Sequence, residues 1–162
     1  MKNYKIYLDT SVINFLFADD APEKKEITID FFDNFVKTRI YETYISEFVL
    51  AEIEDTTNIH KRKNLLKVIE KYDLLMLSIV NDTEIQHLAN KYIEKRIIPE
   101  RKIVDAYHIA TCVLSDIDYL VSWNYKHMAN IKKESEVESI NIENNLNHKL
   151  RIITPTELIY EI

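Results

Sequence analysis

The stretch IYLDTSVIN, residues 6–14, decides the fold because an apolar run leads directly into a carboxylate and then into the start of a helix. Residues 4–8 predict a short buried strand. The amphipathic segments that follow it predict a parallel sheet with helices on both faces. Ligands of such sheets bind outside the carboxyl ends of the strands. Asp9 occupies that edge, so we expect a binding site around it.

Three more polar side chains, those of Thr10, Ser11 and Asn14, follow Asp9 within the same stretch. A site built from them is acidic and rich in oxygen, which suits a hard divalent cation. The alternative is that Asp9 only caps the helix predicted from about Ser11 to Phe17, as an Asp between a strand and a helix often does.

Composition predicts one globular domain over residues 1–162. The chain has 162 residues, of which 46% are hydrophobic, enough to build a single core. Its one cysteine, Cys112, excludes an internal disulfide and a zinc site made of several cysteines. We therefore expect a reducing compartment, the cytoplasm by default. No apolar run approaches the ~20 residues of a membrane span, and we expect no targeting segment.

Glycine is absent from the sequence, although average usage would give roughly eleven in a chain of this length. The glycine-rich loops that cradle phosphate, GxGxxG and GxxxxGK[ST], are therefore excluded. Helices must also end without glycine, so we expect Asn, Lys or Asp in left-handed conformations at their ends.

The net charge of −6 argues against a surface that is basic throughout and binds nucleic acid everywhere. Local basic patches remain. Lys63, Lys67 and Lys71 share one helix face, for which a solvated surface is the alternative. Four more cations stand next to candidate site residues: Arg101, Lys102, Lys126 and His127.

Two later helices carry the other candidate carboxylates. Residues 41–45 predict a strand, and Ser46 is placed to cap a helix that carries Glu52. Pro99 ends a long helix, and the next one carries Asp105 in an early turn. The alternatives are that Glu52 is an ordinary exposed position and that Asp105 forms an ion pair with Arg101, four residues earlier.

The remaining segments complete an alternating pattern of strands and helices. We predict helices over residues 23–38, 58–71 and 80–96, and strands over 73–78, 118–121 and 151–153. Residues 125–150 predict one or two helices within poorly defined loops. Ser122, Trp123 and Asn124 follow the fourth strand, and Trp123 is expected to pack. Thr154, Pro155 and Glu157 form a capping box that starts a terminal helix.

The chain resembles the PIN-domain family, and in particular its branch of VapC-like toxin endoribonucleases. YLDTSVI is similar to the first motif of the family, SEFVLAEI to the second, KIVDAYHIA to the third and LVSWNYKH to the fourth. The motifs occur in family order, and the resemblance continues to RIITPTELI. It implies a three-layer α/β/α domain with a mostly parallel five-stranded sheet.

The resemblance also implies a function, cleavage of RNA with Mg²⁺ or Mn²⁺ by the toxin of a type II toxin–antitoxin pair. Asp9, Glu52 and Asp105 would be metal-binding catalytic acids. Asn124, where many members carry Asp, would join the catalytic set as a neutral donor, which weakens any second metal. An antitoxin and a second copy of the chain, in a homodimer, are the expected protein partners. The expected substrate-binding residues are Thr10, Ser11, Arg101, Lys102, Ser122, Lys126 and His127.

Physical chemistry supports a cation among these acids, because three neighbouring carboxylates raise one another's pKa unless a cation neutralises them. A bound divalent metal can activate water for attack on phosphorus. Two alternatives stay open. One is a non-catalytic interaction module with a metal site weakened by Asn124. The other is a phosphatase of the haloacid-dehalogenase type with Asp9 as nucleophile, although its DxDxT motif needs Asp where Ser11 stands.

Overall fold

A computed structural model describes residues 3–79 and 81–160. In this part of the chain, five strands form one sheet in the order β3-β2-β1-β4-β5, and every neighbouring pair is parallel. The sheet was predicted to be mostly parallel and is parallel throughout. The strands are β1 (Lys5–Leu8), β2 (Glu42–Ile45), β3 (Leu75–Met76), β4 (Tyr119–Val121) and β5 (Arg151–Ile153).

Helices connect successive strands, as the long crossover connections between parallel strands require. A 3-10 turn, Phe15–Phe17, extends the first helix, and a π-helical turn, Phe32–Val36, extends the second. The helices are α1 (Thr10–Asn14), α2 (Pro22–Phe31), α3 (Glu47–Glu54), α4 (Ile59–Lys71), α5 (Asp82–Glu94), α6 (Ile103–Leu114), α7 (Ile131–Glu143) and α8 (Pro155–Tyr160).

The central strand β1 fixes where the site lies. Tyr7 is in register with Tyr44 of β2, and Leu8 with Val121 of β4. Because the three strands run in the same direction, the residues that follow them, Asp9, Ser46 and Ser122, reach the same edge of the sheet. The sequence prediction that polar groups gather at this edge is confirmed.

Three predicted elements have different bounds in the structure. The strand expected over residues 73–78 pairs only at Leu75–Met76, on the sheet edge, where both side chains are exposed. Residues 125–150 contain one helix, α7. The long helix expected from Val80 begins at Asp82, and Val80 itself lies outside the described residues.

Helices α4, α5, α6 and α7 are each followed, two residues after their last residue, by a non-glycine residue with positive φ. These residues are Asp73, Arg96, Asp116 and Asn145, with φ between 53° and 61°. The following N–H then bonds back into the last helical turn, as Leu74 N does to Ile69 O at 3.0 Å. Asp and Asn were predicted at such ends, whereas Arg96 was not.

One continuous apolar core lies on both sides of the sheet, and Cys112 is buried in it as a free thiol. Trp123 is buried, and its indole Nε1–H donates to Thr28 Oγ1 at 2.9 Å. The prediction that Trp123 packs is therefore confirmed. Within the described ranges, each helix is too short or too polar to cross a bilayer.

Candidate active site

A cleft of about 270 Å³ opens at the carboxyl edge of β1 and β4. It brings together all four predicted catalytic positions, although they come from the junction of β1 and α1, from α3, from α6 and from the loop after β4. Its lining residues are Asp9, Thr10, Ser11, Asn14, Glu52, Lys102, Asp105, His108 and Asn124.

Asp9 lies on the floor of the cleft, with only 5% of its surface exposed. It occupies the N-cap position of α1, but its side chain accepts no capping hydrogen bond from a backbone N–H of the helix, so the interpretation of Asp9 as a simple cap is wrong. Its Oδ1 instead accepts a hydrogen bond from Ser11 Oγ at 2.5 Å. Burial raises the pKa of the Asp9 carboxyl, against the opposing effects of His108 and of hydrogen bonds from Ser11 and Ser122.

Two serines join Asp9 to the end of β4. Ser11 Oγ accepts a hydrogen bond from the Trp123 N–H at 3.0 Å, and the buried Ser122 Oγ accepts one from the Asn124 N–H at 3.0 Å. Both hydroxyls therefore position the backbone that carries Asn124 as well as the Asp9 carboxylate.

Glu52 forms one wall of the cleft, and 38% of its side chain is exposed. Its Oε1 accepts hydrogen bonds from Thr10 Oγ1 at 2.8 Å and from His108 Nε2 at 2.6 Å. Burial would raise the pKa of Glu52, but the hydrogen bond and charge of His108, together with Thr10, hold the pKa below its ordinary value. Glu52 is thus not the ordinary exposed position that was the alternative.

Asp105 lies in the first turn of α6 and completes the acidic wall. Burial is the largest cause of its raised pKa, and the charges of Asp9 and Glu52 raise it further. Repulsion between the carboxylates was predicted; it is present, but it is weaker than the effect of burial. Among the described residues no ion pair joins Arg101 to Asp105, so that alternative for Asp105 is wrong.

Of the four predicted cationic residues, one lines the cleft and three do not. Lys102 lines the cleft, and its charge lowers the pKa of both Glu52 and Asp105. Arg101, Lys126 and His127 are exposed on the adjoining surface and do not line the cleft. Asn124 is half-buried, and its Oδ1 accepts a hydrogen bond from the His127 N–H at 3.3 Å.

A larger hollow of about 770 Å³ lies elsewhere, beside α2 and α4, and contains Lys67 and Lys71. Its acidic residues, Asp33 and Glu70, stand among apolar side chains and cations. The smaller cleft is the better candidate for chemistry because three carboxylates converge there.

The comparison with protein families agrees with this geometry. The PIN domain model matches residues 6–134, a span that contains all four motifs and every residue of the cleft. The chain belongs to the PIN-domain family. PIN domains are typically nucleases that use divalent metal ions. The match ends inside α7, so β5 and α8 lie beyond it. No curated protein matches the chain.

The oxygen atoms that line the PIN cleft of this chain are suitable ligands for a divalent cation. Asp9, Glu52 and Asp105 offer carboxylate oxygens, and Asn124 offers an amide oxygen, the ligands that Mg²⁺ and Mn²⁺ prefer. Over residues 3–79 and 81–160, however, no three His, Cys, Asp or Glu side chains are arranged as a ready-made metal cage. Mg²⁺ does not need one, because it usually keeps several waters and takes one or two protein carboxylates.

The sequence did not predict His108 as part of this site, nor its hydrogen bond to Tyr7 in the core. Tyr7 was assigned to the buried first strand, and His108 was only placed three residues after Asp105 on the predicted helix. A signal was present, because an imidazole and a phenol inside apolar segments need polar partners. Their partners are 39 to 101 residues away along the chain, so the sequence pattern could not name them.

Proposed function

We propose that this PIN domain is a metal-dependent endoribonuclease that hydrolyses RNA phosphodiester bonds, and that it acts as the toxin of a type II toxin–antitoxin pair. One observation carries the nuclease proposal. Three carboxylates from three separate elements, Asp9, Glu52 and Asp105, line one cleft that also holds Lys102. Family membership makes phosphodiester hydrolysis the expected chemistry, and it favours the PIN reaction over a haloacid-dehalogenase phosphatase.

Asp9, Glu52 and Asp105 would hold the cation, either Mg²⁺ or Mn²⁺. When bound, the cation supplies an activated water as nucleophile and offsets the charge that develops on the departing oxygen. Burial raises the pKa of Asp9 and Asp105, so a positive charge placed beside them would stabilise the ionised form of both acids. Asn124 adds an oxygen without charge, which favours one cation over two.

The protein groups around the acids hold them in place. Ser11 and Ser122 bond to Asp9, while Thr10 and His108 bond to Glu52. These bonds favour the ionised carboxylates over the neutral acids. The carboxylates that would bind the cation are therefore oriented before it arrives, which reduces the cost of ordering them.

Lys102 is the cation best placed to meet a phosphate, since it is exposed and lines the cleft. Arg101, Lys126 and His127 lie on the flanking surface and would bind neighbouring phosphates of the same strand. With a net charge of −6, the protein offers few such contacts, so recognition relies on this one patch.

The nuclease proposal is tested by incubating labelled RNA with the wild type and with Asp105→Asn. Asp55→Asn is the matched control, because Asp55 is an exposed carboxylate outside the cleft. We expect cleavage with Mg²⁺ or Mn²⁺, none with EDTA, and a loss of at least about 100-fold in Asp105→Asn but not in Asp55→Asn. Cleavage that survives EDTA, or equal rates for the wild type and Asp105→Asn, would refute the proposal.

The toxin proposal rests on the family resemblance and is tested separately. Induced expression in a bacterial host should arrest growth for the wild type and not for Asp105→Asn, and co-expression of the antitoxin that this proposal requires should restore growth. Sedimentation of the purified protein tests the homodimer. Growth that is unaffected by an active nuclease would remove the toxin role and leave the RNA chemistry intact.

A non-catalytic interaction module is the second candidate, and it is favoured by Asn124 together with the missing ready-made metal cage in the described residues. It predicts a folded protein that binds neither Mn²⁺ nor RNA in the cleft. Calorimetric titration with Mn²⁺ distinguishes it from the nuclease.

A further inference from the structure

A buried line of hydrogen bonds leads from the interior of the sheet to Glu52. Ser46 Oγ and Tyr7 OH are 2.6 Å apart, and Tyr7 OH and His108 Nδ1 are also 2.6 Å apart. His108 Nε2 then lies 2.6 Å from Glu52 Oε1. Ser46 and Tyr7 are fully buried, and only 1% of the His108 side chain is exposed.

Each member of this line is fixed by the fold. Tyr7 belongs to the central strand β1, and Ser46 caps α3 by accepting the Phe48 N–H at 3.2 Å. His108 stands one turn after Asp105 on α6, so both side chains point towards the cleft side of that helix. The line therefore ties three separate elements together at the base of one acidic side chain.

The direction of the last bond follows from the ionised form of Glu52. A carboxylate accepts hydrogen bonds and cannot donate one, so the Nε2–H of His108 donates to Glu52. Oε1 also accepts from Thr10, whereas no residue in the described ranges bonds to Oε2. One oxygen of Glu52 is thus held by the protein, and the other is left for a ligand.

We infer that His108 is a positioning residue for the metal site, which holds Glu52 so that it binds the cation through Oε2 alone. The inference rests on the proposed function, because it assumes that Glu52 is a metal ligand. Glu has three side-chain torsions and this one is partly exposed, so without His108 its carboxylate would sample several orientations. Groups that orient a metal ligand in this way typically change metal affinity by roughly 10- to 100-fold.

Two substitutions separate positioning from ordinary core packing. His108→Gln places an amide N–H near the Nε2 position and can still donate to Glu52. His108→Asn places its amide near Nδ1 and cannot reach Glu52. Both remove the imidazole from the core, so a purely structural role predicts similar defects in the two variants.

The experiment is a calorimetric Mn²⁺ titration of the wild type and both variants, with melting curves in EDTA. His87→Asn is the matched control, since His87 is exposed on α5, away from the cleft. We expect Mn²⁺ affinity to fall roughly 10- to 100-fold in His108→Asn and to stay within about threefold of the wild type in His108→Gln. Tyr7→Phe keeps the ring and removes only the hydroxyl, so its Mn²⁺ affinity should lie between those of the two His108 variants. It replaces a His108 variant that fails to fold.

The inference is overturned if His108→Asn binds Mn²⁺ as tightly as the wild type, or if Asn and Gln weaken binding equally. RNA cleavage measured on the same preparations separates this failure from that of the proposed function. If the Mn²⁺ affinities follow the expected order but the wild type cleaves no RNA, the nuclease proposal is refuted and the positioning role of His108 is supported. If the wild type cleaves RNA with Mn²⁺ but all variants bind Mn²⁺ equally, the positioning role is refuted and the nuclease proposal is supported.

Discussion

Ser11→Ala tests whether the Ser11 hydroxyl belongs to the architecture of the site or is reserved for substrate. In the structure Ser11 Oγ donates to the Asp9 carboxylate at 2.5 Å and accepts from the Trp123 N–H at 3.0 Å. A hydrogen bond to a charged group contributes about 1.5–3 kcal/mol, and leaving a buried N–H without an acceptor costs about 1–3 kcal/mol. Because the two losses overlap, we expect Ser11→Ala to lower the free energy of unfolding by about 2–4 kcal/mol.

The assay is urea unfolding in EDTA at pH 7, followed by the fluorescence of Trp123, the only tryptophan in the chain. The expected loss corresponds to a midpoint lower by roughly 1–2 M urea, with an unchanged slope. Ser11→Thr keeps the hydroxyl and is the control. A midpoint for Ser11→Ala close to that of the wild type would show that the hydroxyl does not hold Asp9 to the end of β4.

Two further predictions concern charge in the cleft. Burial raises the pKa of Asp9 above its unfolded value, so its contribution to stability is fully present below pH 3.8 and is lost as the pH rises through the folded pKa. In EDTA at pH 7, Asp9→Asn should therefore stabilise the protein by about 1 kcal/mol, and the stability difference between the variant and the wild type should shrink towards pH 4. Melting curves of both proteins across this pH range check the prediction. A stability difference that stays constant with pH, or that favours the wild type at pH 7, would contradict it. Asn124→Asp should tighten Mg²⁺ binding roughly threefold to tenfold and lower stability in EDTA, since it adds a carboxylate to an acidic cleft. Unchanged Mg²⁺ affinity in calorimetry would place Asn124 outside the cation site.

The parts of the fold that follow from local pattern were predictable from the sequence. The apolar run at β1, the Ser46 cap and the Thr154 capping box each depend on residues within a few positions of one another. In the capping box, the Glu157 N–H donates to Thr154 Oγ1 at 3.3 Å, as predicted. The sequence predicted the ends of the edge strand β3 poorly, because both of its residues are exposed and no buried face marks where the strand begins and ends.

The acidic site was predictable only in part. Parallel strands bring their carboxyl ends to one edge, so Asp9, Glu52 and Asp105 could be expected together. The line from Ser46 to His108 could not be predicted, because each of its bonds joins residues far apart in sequence. The lowered pKa of Glu52 depends on His108, Thr10 and Lys102, which are far from Glu52 in sequence, so the electrostatics of the site required the structure.

Diffraction from a crystal of this protein grown with Mn²⁺, recorded at a wavelength where manganese scatters anomalously, tests the central claim most directly. We predict one anomalous peak in the cleft, in contact with carboxylate oxygens of Asp9 and Asp105 and with Oε2 of Glu52. Waters should complete its coordination. An empty cleft at millimolar Mn²⁺, or a peak bound only elsewhere on the surface, would contradict the assignment of these acids to a catalytic metal.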